Sequence, residues 1–220
     1  MIKAIIFDLD NTLLDRETSL KSFLKSQYNK FQTELNHVTI DDYSSTFIKL
    51  DANGMVWKDI VYQHMLVEIN IANLEWQTLL DDYVTNFCTH CISYEGVKTA
   101  LDALKTKNYK LGIITNGKYP FQQKNIEALG IENYFSTIIV SEKAGIKKPQ
   151  AEIFYLSAKQ LEISVSQAIY VGDNPKIDIE AAQNSGMKAI WKRNNNYDSC
   201  QWADAIFENF NVLPQIIEKL

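Results

Sequence analysis

The chain has 220 residues, 46% of them hydrophobic and 22% charged, and a net charge of -5. That is long enough to bury a substantial core as one large domain or two unequal ones, and the acidic balance argues against a nucleic-acid polymer or a membrane surface as partner. Three cysteines do not make a disulfide framework, no apolar run approaches the roughly 20 residues that span a bilayer, and the start of the chain has no signal-peptide pattern, so a reducing cytoplasm is the expected address.

The first element is a short apolar run, Ile5-Ile6-Phe7, which reads as a buried strand. It stops at two carboxylates, Asp8 and Asp10. Positions i and i+2 of an extended chain point to the same side, so the two acids can share one site. Two such charges repel by roughly 4 kcal/mol at 4 Å with an effective dielectric near 20. A metal ion, a lysine or a shared proton has to offset that.

From Arg16 to Ile92 the apolar residues fall at helical spacing. Leu20, Phe23, Leu24, Tyr28 and Phe31 mark one helix, and Tyr43, Phe47, Ile48 and Leu50 a second. Val56 to Leu66 and Leu79 to Phe87 mark two more, with Asn53-Gly54 a break between the second and third. Phe23, Phe31, Phe47, Trp57, Tyr62 and Tyr83 read as the core of this insert, and Asn53, Trp57 and Lys58 as residues able to face a cleft.

From Glu95 onward strands and helices alternate. Strands are expected at 111–115, 137–140, 168–171, 188–191 and 205–207, with helices over 97–107, 120–129, 152–161, 177–184 and 212–219. Such alternation predicts an α/β fold, a Rossmann-like parallel sheet with helices on both faces, carrying the helical insert as a smaller domain. Ligands of such sheets bind at the carboxyl ends of the strands. Asp8 and Asp10, then Thr115 and Asn116, then Asp173 all stand at strand ends.

Four segments now stand in order: Asp8-Leu9-Asp10-Asn11-Thr12, Thr115-Asn116-Gly117, Lys147-Lys148-Pro149, and Gly172-Asp173 through Asp178. Together they resemble the haloacid dehalogenase-like hydrolase superfamily, in its phosphatase branch. The resemblance covers residues 1–15 and 93–220 as the catalytic core, with 16–92 where that superfamily often carries a helical cap. It implies a Mg²⁺-dependent phosphatase acting on a small phosphorylated metabolite, such as a nucleotide 5′-monophosphate or a sugar phosphate, as a monomer or weak homodimer.

The resemblance also implies roles. Asp8 is the nucleophile that forms an aspartyl-phosphate, and Asp10 protonates the leaving oxygen and later deprotonates water. Mg²⁺ is held by the Asp8 carboxylate, the Asp10 carbonyl and Asp173. Asp178 orients a metal-bound water or the lysine, Lys148 neutralises charge, and Thr115 and Asn116 hold phosphoryl oxygens.

The chain departs from the family's usual residues at Asn11, at Gln150-Ala151 and at Ala181-Ala182, none of which is a reacting group. Asn11 stands where many relatives have glycine, and asparagine tolerates unusual backbone angles. Competing readings are a phosphomutase of the same superfamily, a 2-haloacid dehalogenase, a receiver domain and an inactive scaffold. Asp10 and Asp173 argue against the dehalogenase, the helical insert against the receiver, and the complete set of acids and lysine against the scaffold. Cys88-Thr89-His90-Cys91 has half the pattern of a zinc site and no second half, so it reads as a reduced segment.

Overall fold

The computed structural model describes all 220 residues and separates into two compact units, residues 1–16 with 92–220, and residues 17–91. No helix is long and apolar enough to cross a membrane.

The larger unit is built on six strands, all parallel: β1 (Ala4–Phe7), β2 (Lys110–Thr115), β3 (Thr137–Val140), β4 (Ala168–Gly172), β5 (Lys188–Lys192) and β6 (Ala205–Phe207). Their spatial order is β3-β2-β1-β4-β5-β6. β1 is therefore central, and the chain adds strands first on one side of it and then on the other. The crevice at such a reversal of strand order is where ligands of doubly wound sheets bind. Every residue of β1 is buried, as expected of a strand covered on both faces.

Alternation sorts the side chains. Ala4, Ile6, Ile114, Tyr170, Ala189 and Trp191 form one apolar cluster with Ile153, Phe154 and Ala158 of α8 (Ala151–Gln160). Ile5, Phe7, Ile113, Val171 and Ile190 are equally buried and point to the opposite face. Helices α5 (Val97–Thr106) and α10 (Leu213–Glu218) pack on each other and bury Val97, Leu101, Leu104, Leu213 and Ile217. Each large apolar side chain so buried contributes about 1.5–3 kcal/mol.

Most elements fall within two residues of the expected bounds. One differs in kind. The helix expected over 177–184 is a π-helical turn, Pro175–Glu180, running into a single α-helical turn, α9 (Ala181–Asn184). Asn174 starts it by accepting from the N–H groups of Lys176 and Ile177 at 3.0 and 2.9 Å. A short helix, α7 (Ser141–Ala144), follows β3 directly and was not expected from the sequence. Its four residues are too few to display helical periodicity.

The smaller unit consists of helices α1 (Arg16–Lys30, whose first residue belongs to the other unit), α2 (Ile40–Asp51), α3 (Lys58–Glu68) and α4 (Trp76–Asn86). Thr39 caps α2 by accepting from the Asp42 N–H at 3.1 Å. Ala52 and Asn53 end that helix in the left-handed region, at the break the sequence marks. Phe23, Phe47, Tyr62 and Tyr83 are buried, whereas Phe31 and Trp57 are only half-buried.

A polar hub lies inside this unit. Gln27 Oε1 accepts from the hydroxyls of Tyr43 and Tyr62 at 2.8 and 2.7 Å, and its Nε2 donates to the Leu79 carbonyl and the Asp82 carboxylate at 3.0 Å each. One amide thus satisfies two buried tyrosines that aromatic packing alone would leave without partners. Lys58 makes a buried ion pair with Asp51 at 2.5 Å, and Asn53 is exposed.

Candidate active site

Asp8 extends β1 by one residue, its N–H donating to the Val171 carbonyl of β4 at 2.9 Å. The chain then turns tightly. Thr12, Leu13 and Leu14 all donate to the Leu9 carbonyl, and Asn11 takes the left-handed conformation at φ 58°. The turn returns Thr12 to the strand end, where its hydroxyl donates to Asp8 Oδ2 at 3.2 Å.

The remaining segments arrive from neighbouring strands. Asp173 directly follows β4, the strand beside β1. Asp178 comes back on the first turn after it, and Gly172 makes the room. A Cβ on Gly172 would lie 2.6 Å from the Asp178 Cβ, closer than side-chain carbons approach. Lys148 reaches in from the loop after α7. Its Nζ lies 2.5 Å from Asp8 Oδ1, 2.7 Å from Asp178 Oδ1 and 2.9 Å from the Tyr170 hydroxyl. An ammonium has three protons, and these three acceptors use them all. Lys147 is exposed.

Asn116 fixes the lysine's backbone from both sides: Oδ1 accepts from the Lys148 N–H and Nδ2 donates to the Lys148 carbonyl, each at 2.9 Å. Its side chain thus joins the second segment to the third. The sequence gives no sign of this, because an Asn-Gly pair reads simply as a turn.

The carboxylates of Asp8, Asp173 and Asp178 bring ligand atoms within 4.8 Å of one another, all buried. With one lysine among them, the fully ionised group carries a charge of about -2, three acids less one base. Burial, then repulsion from Asp178 and Asp10, against the attraction of Lys148, pushes the Asp8 carboxyl up to about 7. Burial and the nearby Asp178 and Asp8 push Asp173 well above the usual carboxylate range. Burial alone would lower Lys148, but Asp178 and Asp8 outweigh it and hold the ammonium well above its ordinary value.

Burial and mutual repulsion therefore disfavour the fully ionised group, a cost that a bound cation would offset. The donor set is all oxygen, which suits Mg²⁺. Asn194 Nδ2 donates to Asp173 Oδ2 at 2.7 Å, and the Trp191 indole donates to the Asp173 carbonyl at 2.7 Å. These contacts hold the aspartate while leaving its other carboxylate oxygen available.

Asp10 is not part of that carboxylate group. Its Oδ2 accepts from Gln122 Nε2 at 2.6 Å, and the same nitrogen donates to Thr115 Oγ1 at 2.9 Å. Thr115 is 1% exposed at the end of β2. Gln122, Tyr170 and Asn194 are absent from the four segments that the sequence marks.

Cys88 and Cys91 are free thiols whose Sγ atoms lie near the Thr85 and Phe87 carbonyls, and His90 Nδ1 is 2.9 Å from the Ser22 hydroxyl. These residues have local partners and belong to no metal-binding group. Another buried cation, Lys192, stands on the Tyr94 ring at the end of β5, 3.5 Å from the ring centroid. Burial lowers its pKa, against Asp173 and Asp15.

Comparison with known proteins agrees in kind with this arrangement. The family model described as haloacid dehalogenase-like hydrolase matches residues 5–192. The glyceraldehyde 3-phosphate phosphatase of Pyrococcus furiosus is 29% identical over 100% of this chain and 93% of its own length. Among solved structures, a HAD phosphatase from Thermococcus onnurineus is 25% identical, with a TM-score of 0.72 over 98% of both chains. A 2-haloacid dehalogenase from Pseudomonas syringae is 27% identical, with a TM-score of 0.67 over 100% of this chain and 99% of its own.

Proposed function

Since this chain belongs to the haloacid dehalogenase-like hydrolases, we propose that it is a Mg²⁺-dependent phosphatase that cleaves a small phosphomonoester through an aspartyl-phosphate on Asp8. The observation that carries this reading is the buried group of Asp8, Asp173 and Asp178 around the Lys148 ammonium at the carboxyl edge of the sheet. A relative named for its action on glyceraldehyde 3-phosphate supports a short phosphorylated metabolite as substrate. The three free thiols are in keeping with a reducing cytoplasm.

Each residue then has a task. A carboxylate oxygen of Asp8 attacks phosphorus as the bond to the leaving oxygen breaks, and the carboxyl proton of Asp10 passes to that oxygen. Water then attacks the phosphorus of the aspartyl-phosphate and gives its proton to the Asp10 carboxylate. Inorganic phosphate leaves, and the Asp8 carboxylate is restored. The Thr115 hydroxyl and the Asn116 N–H hold phosphoryl oxygens. Lys148, held by Asp178 and Tyr170, balances the charge of the nucleophile.

A divalent metal would be held by the carboxylates of Asp8 and Asp173 with the Asp10 carbonyl, and when bound it supplies positive charge to the phosphoryl oxygens. A dehalogenase attacks carbon and releases halide, so it needs neither a metal nor a proton donor at the second position. The Asp10–Gln122 contact and buried Asp173 favour the phosphatase.

The test is a panel of phosphomonoesters assayed with Mg²⁺ and again with chelator. Turnover is expected on at least one small phosphate ester and is expected to disappear with chelator. Hydrolysis that persists undiminished in chelator excludes the metal-dependent mechanism.

The pH dependence of stability gives a separate check. The folded chain holds the Asp8 proton up to about 7, above the ordinary 3.8, so it binds this proton more tightly than the unfolded chain does. That contribution is complete below pH 4 and is lost as pH rises through 7. Mg²⁺ competes with the proton, so its stabilisation should grow over the same window. At about 100 times its dissociation constant, Mg²⁺ is expected to raise Tm by about 5–10 °C at pH 8 and by clearly less at pH 5. Thermal denaturation with Mg²⁺ or chelator at both pH values measures this; an equal shift at both counts against Asp8 as a ligand.

A further inference from the structure

Gln122 lies on the first turn of α6 (Phe121–Ala128) and is 3% exposed. Its amide nitrogen faces two groups of the site, Asp10 Oδ2 at 2.6 Å and Thr115 Oγ1 at 2.9 Å, with the Asn116 carbonyl more distant at 3.4 Å. An amide nitrogen has two hydrogens, and the two shorter contacts use both. Asn125, one turn further on and fully buried, donates from Nδ2 to Gln122 Oε1 at 3.0 Å. Asn125 Oδ1 has no partner, but with the Gln122 nitrogen facing the acid that bond gives the other end of the Gln122 amide its own. Gly117 leaves room for it, since a Cβ there would lie 2.8 Å from Gln122 Cγ and 3.1 Å from Nε2.

We propose that Gln122, oriented by Asn125, is a positioning residue that holds the Asp10 carboxyl for proton transfer and turns the Thr115 hydroxyl toward the phosphoryl group. This rests on the phosphatase reading above and adds to it. The donated hydrogen engages Oδ2 of Asp10 and leaves Oδ1 to carry the proton to the leaving oxygen. Because Thr115 Oγ1 accepts from Gln122, its own hydrogen is free to point at a phosphoryl oxygen. A glutamine serves where a charged residue would not. A lysine would hold Asp10 as its anion and oppose protonation, whereas a glutamate would repel it.

The two tasks separate by leaving group. A nitrophenolate departs without a proton, whereas an alkoxide needs one from Asp10. General acid catalysis is worth about 10²–10⁴-fold where it is needed. The Thr115 task is common to all esters.

The experiment compares kcat/KM for 4-nitrophenyl phosphate and 2-phenylethyl phosphate, with Mg²⁺, in the wild type and Gln122→Met. Methionine has a similar length and no donor. kcat/KM includes only steps up to the aspartyl-phosphate, so the later attack of water does not obscure the leaving group. The variant is expected to lose several-fold on the aryl ester and a further tenfold or more, roughly the lower end of that range, on the alkyl ester. Asn125→Leu, which removes the orienting donor and leaves Gln122 in place, is expected to show the same selectivity to a smaller degree.

Tm of each variant, compared with wild type, separates a folding defect from a catalytic one, and the ester ratio is internal to one preparation. Equal losses on both esters in the two variants, or no loss on either, overturn the proposal while leaving the phosphatase reading intact. A wild type that turns over neither these esters nor any of the wider panel overturns that reading, and the role of Gln122 with it.

Discussion

Replacing Asp8 by asparagine is expected to abolish phosphomonoester hydrolysis and, in the metal-free protein, to raise Tm. The first effect follows from the role proposed for Asp8 as the nucleophile. An amide oxygen does not form the aspartyl-phosphate, and loss of a covalent nucleophile is expected to lower kcat/KM by about 10⁴-fold or more. The second follows from charge. The Asp8 carboxyl is pushed up to about 7 by burial and by its acidic neighbours, so its anion is disfavoured by a few kcal/mol at pH 8. Asparagine removes that cost, and its Oδ1 can still accept from Lys148, which now lies 2.5 Å from Asp8 Oδ1. The metal-free variant is therefore expected to melt on the order of 5 °C higher at pH 8, with the difference shrinking as pH falls toward 5. Kinetics on an active ester and melting curves of the same preparations test both halves. Retained turnover sinks the covalent mechanism. Lost turnover with a lower metal-free Tm means that the acid is less strained than its surroundings imply.

The family, the parallel sheet and the main strand ends were legible in the sequence because the signals are local. Ile5-Ile6-Phe7 needs only an apolar run, and Asp8, Thr115 and Asp173 stand where such runs stop. The family assignment holds across residues 5–192. Asn11 as a left-handed residue was also legible, since asparagine is among the few residues that tolerate φ near 58°.

What was not legible depends on contacts far apart in sequence. Asn116 looks like a turn residue, yet its side chain clamps Lys148 across 32 positions. Tyr170 looks like one more apolar strand residue, but its hydroxyl accepts from Lys148 at 2.9 Å. Gln122 and Asn125 carried a signal that the segment pattern did not use. They share the inward face of α6 with Phe121 and Ile126, so that face has two amides where a helix on a sheet ordinarily has aliphatic side chains. Buried amides need partners, and an amide on an inward face next to a strand end is a reason to look for the acid it serves. The sequence also left Asp178 with two alternatives, a metal-bound water or the lysine. Its Oδ1 lies 2.7 Å from Lys148 Nζ and its Oδ2 accepts from the Asn174 N–H at 3.0 Å, and these contacts favour the lysine.

Replacing Lys148 by methionine is expected to be the most destabilising single change in the site. The ammonium is 3% exposed and gives all three protons to protein acceptors, so its removal leaves Asp8, Asp173 and Asp178 buried with no cation among them. Breaking a buried ion pair by deleting one partner costs about 3–5 kcal/mol, which in a chain of this length corresponds to roughly 10 °C in Tm. Activity should fall as well, by about 10²–10³-fold, the scale for losing one preorganised electrostatic contact. The two losses have different remedies. Mg²⁺ would restore positive charge near Asp8 and Asp173, so it should recover part of the stability, but Asp178 would keep only the Asn174 N–H and the Tyr170 hydroxyl as partners and its charge would have no cation beside it. Adding Asp178→Asn removes that orphaned charge, and the double variant is expected to regain more than half of the lost Tm while remaining as inactive as the single one. Melting curves and kinetics of wild type, Lys148→Met, Asp178→Asn and the double variant form a closed cycle. A double variant that melts no higher than Lys148→Met means that the lysine stabilises the fold by packing against Tyr170 rather than by charge. Because the protein already uses all three of its protons, Lys148 in this arrangement would act on a phosphate as a fixed charge behind Asp8, and only a shift away from Tyr170 or one of the acids would let it donate directly.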